Sequence, residues 1–239
     1  MKDRLKGLIV AIAMISANHL YAQTHYNTWF RTTLSVPVGE KFKIDNEVQY
    51  RSQNGFENTN GFDKKLMIAY RNWLFYQPNK DVKFSISPFA YFSNYKIIQT
   101  KTDETAKPQN EIRFSAAVEI QQSIVNKVNL VNRTAIEYRM FENNQTDITR
   151  LRNRLGLKYA LSEKIKFSVF DELLVLPSKT AELHFFDQNR MGVSLDYKLF
   201  SNLKVDIGYL YMDRLPVTST NKIHENNIFM NVMYRFKKV

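Results

Sequence analysis

Arg150, Arg152 and Arg154 recur at a spacing of two within TRLRNRLGLKY, residues 149–159. In an extended chain that spacing puts all three on one face. Three guanidinium groups in a row repel one another unless something negative answers them. An external anion is one answer, since the planar guanidinium fork suits a phosphate or a lipid headgroup. The other answer is internal, with Glu119, Glu137 or Glu172 on neighbouring strands neutralising the row. We read the row as neutralised internally. Arg133 with Glu137 and Glu119, and Asp45 with Glu47, belong to the same set of charges.

Histidine chemistry is the second possibility. His184 and His224 fall in two segments that read as long polar loops, and Ser178 and Ser219 fall in the same two. A loop histidine beside a loop serine has the parts needed to hydrolyse a lipid ester. No fixed-spacing motif links these residues, so His184 and His224 are candidates only under an enzymatic reading. The histidines and carboxylates are scattered without metal-ligand spacing. The absence of cysteine excludes thiolate zinc sites, redox dithiols and a catalytic thiol. No glycine-rich phosphate cradle is present. We expect no cofactor.

The elements that carry these residues alternate. In KFKIDNEVQYR (41–51), Phe42, Ile44, Val48 and Tyr50 share one parity, and Lys43, Asp45, Glu47 and Arg51 share the other. A period of two is the signature of a strand. The pattern recurs over 27–36, 65–76, 82–92, 111–122, 128–141, 149–159, 164–175, 188–199, 203–212 and 227–236, giving eleven segments. Pro88 interrupts one of them and predicts a bulge. Most segments run about ten to fourteen residues, the length a tilted strand needs to cross a bilayer, whereas strands of soluble sheets are commonly about five or six.

Connections alternate between tight (PVGE, QPNKD, SIVNK, LSEK, KLFSN) and, with ENNQTD as a short exception, long and polar. Membrane barrels show that rhythm, with short periplasmic turns and longer outward loops. Tyrosines on the apolar parity cluster near segment ends, where interfacial girdles sit. The chain closes on VMYRF, an aromatic-rich terminus of the kind barrel assembly reads.

Residues 1–22 have Lys2, Arg4 and Lys6 ahead of a short apolar run, which marks a cleaved secretory signal peptide and leaves 23–239 as one barrel domain. The formal charge of +11 is dispersed among carboxylates, with no long basic run and no recognition helix, so nucleic acid is not an expected partner.

The expected fold is an all-β, antiparallel up-and-down transmembrane β-barrel. Single-chain bacterial barrels use even numbers of strands, so eleven segments point to twelve strands, with ten as the alternative. TRLRNRLGLKY and FDQNRMGVSLDYKLFSNLKVDIGYLY (186–211), together with the Trp29 strand and KFKIDNEVQYR, resemble the exported barrels of domain of unknown function family 2490. That resemblance implies an outer-membrane or outer-membrane-like barrel in a Gram-negative cell. It brings no activity and no catalytic residues.

The expected location is therefore the outer membrane, with outer-membrane lipid and the barrel-assembly machinery as partners. The leading functional expectation is a non-enzymatic barrel, either a narrow pore or a structural or surface-interaction protein, with its lumen more plugged than open. Two alternatives stay open. One is an enzyme acting on outer-leaflet lipid. The other is a soluble periplasmic barrel that binds an apolar ligand and turns Phe42 and Ile44 inward.

Overall fold

The computed structural model describes residues 24–142, 146–177, 184–216 and 221–237. The expected signal peptide, residues 1–22, lies outside them, as do Ser178 and Ser219. Eleven strands follow one another in chain order: β1 (Thr24–Pro37), β2 (Phe42–Gln53), β3 (Lys64–Tyr76), β4 (Val82–Asn94), β5 (Gln109–Val125), β6 (Val128–Phe141), β7 (Ile148–Ala160), β8 (Ile165–Val175), β9 (Phe186–Lys198), β10 (Leu203–Arg214) and β11 (Ile223–Arg235). Each pairs antiparallel with its sequence neighbours, and the sheet closes into a barrel through β1 and β11. Closure gives every strand two partners and leaves no free sheet edge.

The strand number corrects the expectation of twelve or ten. β1 starts at the end of the barrel that carries the long loops, and β11 ends at the opposite end, with the short turns. The two closing strands therefore run in the same direction and pair in parallel, from Thr24 opposite His224 to Ser35 opposite Arg235. An odd number of strands forces one parallel pair, and among the described residues this is that pair.

The barrel is inside out relative to a water-soluble domain. Among the described residues 43 large hydrophobic side chains are exposed, while buried polar or charged residues outnumber buried hydrophobic ones by 26 to 16. Phe42, Val48 and Tyr50 are exposed on the outer wall, whereas Asp45 and Glu47 are buried inside. This parity is the reverse of what the soluble, apolar-ligand barrel requires. That alternative fails because a strand with period two cannot turn Phe42 inward without turning Asp45 and Glu47 out.

Two bulges re-aim individual side chains. On β4 the register with β5 slips between Ser87 and Ala90. Ser85 and Ser87 are buried before the slip, and Ala90 and Phe92 after it. The inward parity thus changes across Pro88, which lacks the amide hydrogen that a regular ladder would use at its position. A second slip, at Arg51 and Ser52 of β2, buries Leu66 on β3, a residue whose parity alone would have put it outside.

Glycines let aromatic rings lie flat on the inner wall. Gly208 is directly opposite Phe229, and a Cβ there would overlap both the ring and the Val193 carbonyl oxygen. Gly192 is opposite Phe170 in the same way, and a Cβ would overlap that ring too.

At the long-loop end, residues 54–63 and 95–108 fold together as a partial cap. The Gln53 amide nitrogen donates to the Lys96 carbonyl at 2.8 Å, and its carbonyl accepts from the Ile98 amide at 3.2 Å. Ile98 is 2% exposed. Glu104 accepts from the Phe56 amide at 3.1 Å, and Lys64 lies 3.8 Å from it.

Candidate functional site

The inward parity brings the charged residues together in the lumen. Glu137 on β6 faces Arg150 on β7 in register. Its carboxylate accepts from Arg150 Nη2 at 2.5 Å and from Arg152 Nη1 at 2.6 Å, with Arg71 on β3 at 3.8 Å. Glu172 on β8 faces Arg154 in register. It accepts from Arg152 at 2.8 Å, from Arg154 at 3.2 Å and from Arg190 on β9 at 3.2 Å. Asp187 adds a second partner for Arg150 at 3.0 Å. Each of these two glutamates is only 1% exposed. Arg150, Arg152 and Arg154 are thus answered by Glu137, Glu172 and Asp187. Glu119 lies elsewhere, 2.7 Å from Lys83.

Other carboxylates follow the same rule. Glu111 accepts from Arg139 at 2.8 Å and from Arg113. Asp45 pairs with Lys43 at 2.5 Å, Glu47 lies 3.8 Å from Arg31, and Glu225 accepts from Arg214 at 2.7 Å. Charge-assisted bonds of this kind are the strong ones, and a buried carboxylate needs them to stay charged.

The pairing does not fill the lumen. A cavity of about 650 Å³ remains, reaching from the cap residues Tyr95, Lys96 and Gln99 to Lys158, Ser168 and Lys204 near the turn end. Its wall carries 14 Lys or Arg side chains and four carboxylates, Glu119, Asp187, Asp196 and Asp206. Glu47, Glu111, Glu137, Glu172 and Glu225 are paired with guanidinium groups of that wall, and Asp45 with Lys43. With these six included, cations still outnumber carboxylates.

Aromatic rings hold several cations in place. Arg51 stacks 3.6 Å over Trp29, and Arg190, from the far side of β10 and β11, lies 5.8 Å from the same ring. Arg113 sits 3.8 Å over Phe92, and Arg154 sits 4.4 Å over Phe170. Trp29 spans part of the lumen and brings together two cations whose strands are not neighbours. Spacing within one strand carries no signal for such a contact.

The histidine candidates separate. His184 lies in the loop between β8 and β9, as expected. His224 corrects the expectation of a loop position: it is the second residue of β11 and faces the outer wall at the long-loop end. Strand pairing with Asp213 and Thr24 extends β11 back to Ile223, into a stretch whose polar composition reads as loop. His224 Nδ1 lies 2.5 Å from Asp213 Oδ1 and 2.9 Å from the Tyr211 hydroxyl. No serine among the described residues hydrogen-bonds to it. His25 is buried in the lumen opposite Glu225, and neither ring nitrogen has a hydrogen-bond partner. Among the described residues no group of three or more His, Asp or Glu side chains forms a metal site.

At the cap, Asp103 is the best-defined charged group outside the strands. Burial pushes its carboxyl up, but Lys96 at 2.5 Å, the Thr100 hydroxyl and the Thr100 and Gln99 amides outweigh that and hold it at about 2.

The family described as "Protein of unknown function (DUF2490)" matches residues 26–237, nearly all of the barrel. The chain belongs to the DUF2490 family. For this DUF2490 protein no curated protein matches the sequence. A crystal structure of the NanC porin aligns with it at a TM-score of 0.49 and 9% identity, over 79% of this chain and 87% of the porin chain.

Proposed function

We propose that this DUF2490 protein is a non-enzymatic outer-membrane barrel, exported on residues 1–22, whose lumen is a narrow passage for small anions. The observation that carries the anion reading is the cavity wall, with 14 cationic side chains against four carboxylates. A narrow lumen with a low-dielectric wall focuses such an excess, raising the local concentration of anions and repelling cations. The membrane reading rests on the outer wall. Among the described residues 35 of the exposed large hydrophobics lie on the strands, far more than water tolerates in continuous patches. Lipid accepts them, and the closed sheet satisfies the backbone. Outer-membrane lipid and, during biogenesis, the barrel-assembly machinery are the partners this reading requires.

The test is single-channel recording of refolded protein in a planar bilayer under a KCl gradient. The protein used must migrate differently before and after boiling in detergent, which certifies a folded barrel. The expected reversal potential has the sign of chloride selectivity. A potassium-selective current, or none from folded protein, overturns the anion reading.

A further inference from the structure

Among the 14 cations on the cavity wall, eleven are paired with a carboxylate at 3.8 Å or less. Three are not: Arg51, Arg133 and Lys158 have no such partner among the described residues. Arg51 donates only to the Gln49 side chain, at 3.2 Å, and rests on Trp29. Its Nε is buried without a hydrogen-bond partner. Arg133 lies 5.4 Å from the Trp73 ring. All three line the one cavity, and they are spread along it. Arg51 is two residues from the long-loop end of β2, Arg133 is mid-strand on β6, and Lys158 is two residues from the turn end of β7. Arg133 faces Arg154 in register, so Lys158, four residues further along β7, is about 13 Å closer to the turns.

We propose that Arg51, Arg133 and Lys158 are three successive holding sites for a small oxyanion, of the size and charge of phosphate, moving through the lumen. This deepens the anion-passage reading and rests on it. The paired cations are already committed to Glu137, Glu172, Glu111 and their like. Glu119 faces Arg133 in register and acts on Arg133 and Lys158 only from beyond ion-pair distance, so an incoming anion gains most at these three cations, which have no carboxylate in direct contact. Guanidinium groups favour an oxyanion over a halide, because their planar donors match two oxygens at once. The first site is the best formed. Trp29 holds the Arg51 and Arg190 guanidinium carbons at 3.6 and 5.8 Å from one ring centre. Arg190 is answered by Glu172 at 3.2 Å, so the charge at this ring with no paired carboxylate is that of Arg51. Several moderate sites in series suit passage better than one tight site, since a solute must leave as well as enter.

The experiment uses the whole mature barrel in a planar bilayer, with chloride as the charge carrier and inorganic phosphate as the probe. Phosphate is expected to reduce the chloride current at concentrations at which acetate blocks less and added chloride does not block. Arg51→Gln is expected to raise the half-blocking phosphate concentration about tenfold, and Arg133→Gln and Lys158→Gln several-fold each. Lys80→Gln, which removes an exposed cation in the turn between β3 and β4, away from the cavity wall, serves as the control and is expected to change it less than twofold. If all three variants stay within twofold of the parent, the proposal is overturned. Acetate blocking as well as phosphate supports the oxyanion class and shifts its identity to carboxylates. If the parent barrel carries no anion current, the anion-passage reading fails by itself. Phosphate titration calorimetry on the detergent-folded parent and Arg51→Gln then decides the holding sites separately: parent binding that the variant loses supports them, and no binding by the parent overturns them.

Discussion

Glu137→Gln is the substitution on which the account of the lumen depends most. The carboxylate is buried and serves Arg150, Arg152 and Arg71. Gln keeps the shape and removes the charge. Breaking a buried ion pair from one side commonly costs about 3–5 kcal/mol, because the partner is left charged and unanswered. Here the loss is divided. Arg150 keeps Asp187 at 3.0 Å and Arg152 keeps Glu172 at 2.8 Å. Arg71 keeps no paired carboxylate among the described residues. The cost therefore falls near the lower end, about 3 kcal/mol. Urea unfolding of barrels folded into lipid vesicles, followed by the emission of the two tryptophans, measures it. Removing the orphaned cation as well, in Glu137→Gln/Arg71→Gln, is expected to recover part of the loss. If Glu137→Gln unfolds within about 0.5 kcal/mol of the parent, the range of an ordinary surface change, the network does not hold the lumen together as argued.

Three further outcomes are expected. Ile136→Lys, on the outer wall at mid-strand, is expected to destabilise the lipid-embedded barrel by about 2–4 kcal/mol, while Thr33→Lys, facing the lumen, costs less; equal costs in the same unfolding assay would contradict the assignment of faces. Gly208→Ala drives a Cβ into the Val193 carbonyl and the Phe229 ring, and a loss of about 1–3 kcal/mol is expected for such overpacking; an unchanged urea midpoint would contradict that close approach. Asp103 has a folded-state pKa of about 2 against an ordinary 3.8, so its contribution to the cap is complete above the ordinary value and is lost as pH falls toward about 2. Hydrogen exchange of residues 99–106, corrected for intrinsic rates, is expected to show protection at pH 5 that is lost near pH 2 in the parent and absent at both in Asp103→Asn; equal protection of parent and variant at pH 5 would refute it.

Much of the barrel is legible in the sequence because a strand repeats every two residues and each wall sees a different medium. Phe42, Val48 and Tyr50 against Asp45 and Glu47 sort by that rule alone, and the eleven segments of the sequence are the eleven strands of the structure. The expectation of twelve or ten rests on a rule about strand parity in bacterial barrels. It passes over what the loop lengths imply, that β1 starts at the loop end and must meet β11 in parallel. Pro88 signals its bulge, but nothing in the sequence marks the slip that buries Leu66.

The charges are readable as a set and not as pairs. Glu137 with Arg150 and Glu172 with Arg154 are direct cross-strand partners, so hairpin register decides them. Trp29 with Arg190 depends on how far the closed barrel brings β1 toward β9, which is a property of closure and not of any local segment. His224 escapes a strand assignment because Ile223 and His224 follow a polar loop and carry no alternation of their own until Ile228.

The most direct test of an apolar wall facing lipid and a basic lumen facing water uses the absence of cysteine from the chain. Ser168 lines the cavity, and Val193, 41% exposed, lies on the outer wall. Ser168→Cys and Val193→Cys, each alone in the barrel in intact vesicles, would be treated with small water-soluble thiol reagents, one anionic and one cationic. The account predicts that the thiol of Ser168→Cys is modified and that of Val193→Cys is protected, with the anionic reagent reacting faster in the lumen. Modification of Val193→Cys with protection of Ser168→Cys, or faster reaction of the cationic reagent in the lumen, would contradict it.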